Sequence, residues 1–271
     1  MVTAFYPIEE AATRIAGDQV SVTDLTPPGV EPHDLELTAD DLEAIGSADL
    51  VLYLGGGFQP AVEDAVQAAA TGVTVDILAE LVSSNAYELM SDPKSELSID
   101  PHVWLDPAGQ AAIADVVRDA LVEVAPPSEA AFAGGLDDYI AELDEVADRF
   151  GILETCSQDL LVTGHEAFGY LARAYGLVQV GIAGVSPEAE PGPARLAEIA
   201  DLVETEGVTT IYAEDLLPPE VVETIAAETG ADVGVLTTIE SLTDEQREAG
   251  EHYGSLMEAN LATLTRGQAC G

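Results

Sequence analysis

Basic side chains are almost missing from this chain: 8 Lys plus Arg stand against 51 Asp plus Glu, a formal net charge of -43 over 271 residues. Nucleic-acid binding rests on cationic groups that displace phosphate counterions, so such a chain excludes nucleic acid as a partner. Long apolar runs are missing too. Hydrophobic residues make up 47 % of the chain, yet no stretch approaches the roughly 18 consecutive apolar residues that span a bilayer, and the sequence reads as water-soluble. Cysteine is scarce: Cys156 and Cys270 are too few for a disulfide scaffold and lack the paired spacing of a zinc ribbon. They permit one bridge, which would tie down an end that otherwise frays, or two separate thiols. A signal peptide is also missing, since Met1 runs directly into the strand-like segment 2–6 (VTAFY). Either the chain is cytoplasmic or a leader lies outside it.

Several catalytic signatures are absent as well. There is no Gly-x-Ser-x-Gly elbow, P-loop or dinucleotide fingerprint. Residues 165–169 (HEAFG) begin like a zincin motif but place Gly169 where the second His must stand, so they do not encode a metalloprotease. Cys156 lies in a polar stretch before a strand, and nothing marks it as a nucleophile.

What is present is acidity spread along the whole length. An acidic interaction tail would form a block of like charge, whereas these carboxylates alternate with apolar positions. The pattern fits a solvated surface suited to concentrated salt, where screening over ~3 Å at molar ionic strength removes most self-repulsion. A halophilic source is therefore expected.

The length is about twice the ~100 to 150 residues of a typical domain, and strands alternate with helices in both halves. Residues 20–25 (VSVTDL), 48–54 (ADLVLYL, stopped by three glycines) and 73–78 read as strands, the second buried on both faces as in a parallel sheet. Thr38 with Asp41 three residues on reads as a helix start, followed by a helix over 60–70. After Pro126-Pro127, apolar positions at Phe132, Leu136, Tyr139, Ile140, Leu143, Val146, Ala147 and Phe150 keep helical spacing for over twenty residues, from a start at Ser128. Strands then recur at 159–163, 208–213 and 231–236, with helices over 168–175, 219–229 and 244–264 and a Pro- and Glu-rich loop over 187–193. The expected fold is α/β, two lobes each with a parallel sheet flanked by helices, joined by one long rigid linker helix. The divisions are 1–126, 127–151 as linker, and 152–271.

Only four histidines occur, and three share a context. His33 and His165 follow predicted strands, one in each half, where ligands of open parallel sheets bind. His102 sits between Pro101 and a second Asp-Pro pair at Asp106-Pro107. Imidazoles suit Zn, Cu, Fe or Ni, with nearby carboxylates fixing the tautomer; each histidine alone could equally be an ordinary loop residue. His252 reads as an exposed helical residue and is set aside.

These segments together resemble a known family, the substrate-binding proteins of bacterial and archaeal ABC importers for zinc and manganese (cluster A-I). The resemblance is carried by 3–7 (TAFYP), 28–34 (PGVEPHD), 100–107 (DPHVWLDP), 165–170 (HEAFGY), and Tyr253, Met257 and Asn260. It implies a metal held in an interlobe cleft by His33 and His102 from the first lobe and His165 from the second. It also implies a cognate membrane permease as partner, an extracytoplasmic location, a monomer, no catalytic activity, and a bridge between Cys156 and Cys270. Histidine rather than Glu at the third position matches the zinc branch, so the cargo is read as Zn(II) in preference to Mn(II), which favours oxygen donors. Many members place an Asp in the loop after the last strand, but here that loop reads Thr237-Thr238-Ile239-Glu240. The fourth donor is then water, Glu214 or Glu240, with Glu214 preferred because its strand position aims it at the cleft. Two rivals remain. One is a mononuclear zinc hydrolase with Glu166 or Glu214 as general base; the other is a metal-chelate binder, which would call for more aromatic and Arg side chains than a chain with one Trp carries.

Overall fold

The computed structural model describes residues 1–92, 98–187 and 191–271. Part of the Pro- and Glu-rich loop over 187–193 lies outside them. Four short strands form the first sheet, β1 (Val2–Thr3), β2 (Thr23–Asp24), β3 (Leu50–Tyr53) and β4 (Val73–Asp76), all parallel in the order β2-β1-β3-β4. Its helices are α1 (Tyr6–Ala16), α2 (Ala39–Ser47), α3 (Pro60–Ala69), α4 (Ile77–Ser84) and α5 (Pro107–Val124), and a two-strand hairpin, β5 (Ser91–Asp92) with β6 (Ser98–Ile99), precedes α5. Local chemistry explains the starts. Thr38 accepts from the Asp41 backbone N–H while the Asp41 carboxylate takes the Thr38 N–H, a reciprocal capping box. Pro60 and Pro107 occupy first helical positions, where a missing N–H costs nothing.

The second sheet repeats the plan. Strands β7 (Leu160–Thr163), β8 (Val178–Gly181), β9 (Thr210–Glu214) and β10 (Asp232–Leu236) lie parallel in the order β10-β9-β7-β8. They are accompanied by α7 (Gly169–Ala174), α8 (Pro193–Glu206), α9 (Glu220–Thr229), α10 (Asp244–Ala249) and α11 (Tyr253–Gly267).

Between the sheets runs α6 (Glu129–Phe150), the longest helix, which packs on α1 and α5 of the first lobe and on α11 of the second. It buries Phe132, Leu136, Tyr139, Leu143, Val146 and Phe150, each adding roughly 1.5–3 kcal/mol of apolar burial. One hydrophobic core therefore continues through both lobes, with a smaller one under α8 and α9. Among the described residues no helix is long and apolar enough to cross a membrane.

Two differences from the sequence reading have clear causes. The helix expected over 244–264 is two helices, because Gly250 takes a left-handed φ of 74° and ends α10, and His252 then starts α11, its backbone N–H donating to Ser255 Oγ at 2.9 Å. The strand expected over 73–78 stops at Asp76, whose side chain accepts the Ala79 N–H and starts α4. Cys156 and Cys270 form a disulfide. It joins the segment ahead of β7 to the end of the chain, beside backbone bonds from Ser157 to Ala269 and from Gln158 to Gln268.

Candidate metal centre

His33 lies on the arm that follows β2, His165 two residues past the end of β7, and Glu240 on the loop after β10; all three leave carboxyl ends of parallel strands, where strand topology opens a crevice. His102 precedes a helical turn, Val103–Leu105, that leads into α5. The fold brings one ligand atom from each of His33, His102, His165 and Glu240 within 4.8 Å of the others. Their exposures of 8 %, 0 %, 1 % and 1 % mean that an ion held there would be cut off from solvent.

The supports around these side chains set which atoms face inward. Asp100 Oδ1 lies 2.8 Å from His102 Nδ1 and also accepts the His102 backbone N–H at 3.0 Å. A carboxylate at Nδ1 fixes the proton there and leaves the Nε2 lone pair free. At His165, Glu214 Oε1 accepts the backbone N–H at 3.1 Å and Oε2 stands 3.3 Å from Nδ1, close enough for its charge to act but without a hydrogen bond to that nitrogen. The two Nε2 atoms thus face one another at 3.4 Å, and Glu240 Oε1 stands 3.6 Å from that of His102. His33 Nε2 and Glu240 Oε1 are buried with no hydrogen-bond partner. Such orphaned polar atoms are costly unless something fills the space between them. The buried Phe58 ring backs His33 and the buried Trp104 ring backs His102, with centroids 4.5 and 5.2 Å apart.

Burial pushes the His33 imidazole down to about 2, with His102 and His165 adding repulsion. It likewise drives His102 well below its ordinary value, again with His165 contributing. Both rings are therefore neutral at physiological pH, the form that binds a metal. Burial lifts the Glu240 carboxyl well above the usual range, with the neighbouring Glu31 carboxyl adding to it. The same desolvation raises Glu31 to about 7; its Oε2 accepts the His33 N–H at 3.0 Å.

The preferred fourth donor from the sequence, Glu214, stands one step back, against His165. Gly164 makes that approach possible: a Cβ there would lie 2.4 Å from Glu214 Oε2. Glu240 occupies the inward position. Its loop is shaped by Asn260, whose amide takes the Thr237 N–H and donates to the Thr237 carbonyl, both at 2.8 Å. Ile239 adopts φ 56°, rare for a β-branched residue, and turns the chain so that Glu240 points in. Thr238 Oγ1 then donates to Glu240 Oε2 at 2.9 Å. His252 lies outside the cluster, exposed at the start of α11.

Over residues 1–267 the sequence matches the family described as zinc-uptake complex component A, periplasmic, ZnuA. The chain belongs to the ZnuA family. Zinc-binding protein AdcA of Streptococcus pyogenes serotype M3 is 34 % identical over 283 aligned residues, covering 97 % of this chain and 55 % of AdcA. The high-affinity zinc uptake system protein ZnuA of Bacillus subtilis is 33 % identical over 277, covering 97 % of this chain and 86 % of that protein. The Zn(II)-bound ZnuA-like domain of Streptococcus pneumoniae AdcA superposes with a TM-score of 0.82 at 34 % identity, over 98 % of this chain and 97 % of that one. The chain spans about half the length of the AdcA relatives and most of the Bacillus protein.

Proposed function

We propose that this ZnuA-family chain is an extracytoplasmic substrate-binding protein that captures one Zn(II) between its lobes and delivers it to the permease of an ABC importer. The observation that carries the reading is the set of three imidazoles and one carboxyl group converging within 4.8 Å in a buried pocket. A tetrahedral N₃O shell suits zinc, and nitrogen-rich ligation disfavours Mn(II). In this assignment His33, His102, His165 and Glu240 are the ligands, while Asp100 and Glu214 aim two of the rings. The zinc-binding names of the relatives agree with it.

The role is transport of the ion rather than catalysis. A hydrolase keeps an open coordination position for water and substrate, whereas here four donors face one another and none exceeds 8 % exposure. Capture would take place in concentrated salt, to which the -43 surface is suited.

The test is metal analysis after dialysis against equal Zn(II) and Mn(II) at high salt, comparing the wild type with His102→Ala. One zinc per chain, lost in the variant, is expected. Equal metal in both proteins, or manganese in place of zinc, contradicts the assignment.

A further inference from the structure

The four ligands are not fastened alike. The arm carrying His33 is sewn to the loop carrying Glu240. Gly29 N–H donates to Leu242 O at 3.0 Å and to Ser241 Oγ at 3.1 Å, and the buried Ser241 hydroxyl donates in turn to Pro27 O at 3.1 Å. The same loop takes the Trp104 Nε1–H on Thr238 O at 2.8 Å, two residues beyond His102, and Tyr253 on α11 donates to Trp104 O at 2.7 Å. Tyr6 N–H closes the seam on Glu240 O at 3.3 Å. The Trp104 and Tyr253 bonds are buried and those among Gly29, Ser241 and Pro27 part-buried, and such bonds hold geometry because opening them leaves polar groups unpaired.

His165 is held differently. Its backbone is bonded by Glu214, Thr163 and Gln179, all in its own sheet. The ties across to the first lobe on this side come through α7. Tyr170 donates to Asp100 O at 2.7 Å and accepts from Met90 N–H at 3.0 Å, and Arg173 reaches Glu88 O at 2.7 Å. A cavity lined by Met90, Asp100, Glu166, Arg173 and Gln179 lies beside these contacts.

We propose that Ser241 is a positioning residue that locks the His33 and Glu240 arms of opposite lobes, with His102, into a platform set before the ion arrives, and that His165 is the arm that closes over it. This rests on the metal site proposed above. The platform contains the chain's one tryptophan, so Trp104 emission reports on it directly.

The experiment is stopped-flow zinc binding to the full chain at high salt, with release measured into a competing chelator and apo Trp104 emission recorded for each variant. Ser241→Ala is expected to lose about tenfold in zinc affinity, the scale set by removing the shared hydrogen-bond partner of Gly29 and Pro27. The loss comes from slower association, and the apo emission shifts to the red. His165→Ala loses affinity through faster release, with association and apo emission unchanged. Wild-type zinc kinetics in Ser241→Ala, whether or not its melting temperature falls, overturn the proposal. So does association slowed in His165→Ala, an arm that stays decisive should Ser241→Ala fail to fold. A wild type that binds no zinc sinks the metal site itself; a wild type that binds zinc while Ser241→Ala is silent sinks the platform alone.

Discussion

Two glutamates compete for the fourth position, and isosteric substitution separates the roles proposed for them. Glu214→Gln keeps an amide oxygen for the His165 N–H but removes the negative charge that stands 3.3 Å from Nδ1. Loss of an orienting carboxylate behind a metal-bound histidine costs about 10–100-fold in affinity, or about 1.4–2.7 kcal/mol. Glu240→Gln instead removes the inward anionic oxygen, 3.6 Å from His102 Nε2 and without another partner. The loss expected there exceeds the ~100-fold upper end for a supporting group. Competition against a zinc-chelating dye at pH 7.5 and constant high salt measures both. A larger loss for Glu214→Gln than for Glu240→Gln would refute the assignment and restore Glu214 as the donor.

Three further outcomes follow from other parts of the molecule. Burial raises Glu31 from its ordinary 4.5 to about 7, so its contribution to stability is complete below pH ~4.5 and is lost as pH rises through 7. The metal-free Glu31→Gln variant should therefore gain more stability over wild type at pH 8 than at pH 5, read by denaturant melts; an equal gain at both pH values contradicts this. The Cys156–Cys270 disulfide closes a sequence separation of 114, so Cys270→Ser should lose about 2–5 kcal/mol of stability. Zinc affinity should change less than about twofold, because the bridge precedes β7 while His165 lies past its other end; a larger drop in affinity would show that the two ends are coupled. The -43 charge predicts a melting temperature that rises between 0.1 and 2 M KCl, as the screening length falls from ~10 Å toward ~3 Å and below; a flat response would mean that self-repulsion is not limiting.

Much of the fold was legible in the sequence because its local signals agree with the tertiary structure. Thr38 and Asp41 encode a capping box that forms, and the apolar run before Gly55 becomes the buried strand β3. The spacing of Phe132 to Phe150 is the buried stripe of α6. Helix α5 was missed although Asp106-Pro107 is a helix start with its cap and first residue in place. Strand β8 was missed because its residues VQVG are too few and too polar to stand out. His33 and His165 stood out because each follows a predicted strand, one in each half, and His102 because Pro101 and Asp106-Pro107 flank it. Glu240 was only one of three alternatives, and its inward aim depends on a positive φ at Ile239, which no β-branched residue announces, and on a clamp from Asn260, twenty residues away. Glu214, preferred from the sequence, lies against His165, and the absence of a side chain at Gly164 leaves the room for it to do so.

The most direct test of the central claim is a crystal structure of the zinc-loaded chain with anomalous data at the zinc edge. The account predicts one peak bonded to nitrogen from His33, His102 and His165 at about 2.0–2.1 Å and to an oxygen of Glu240 at about 2.0–2.2 Å. A peak elsewhere, or one coordinated by Glu214 in place of Glu240, contradicts it.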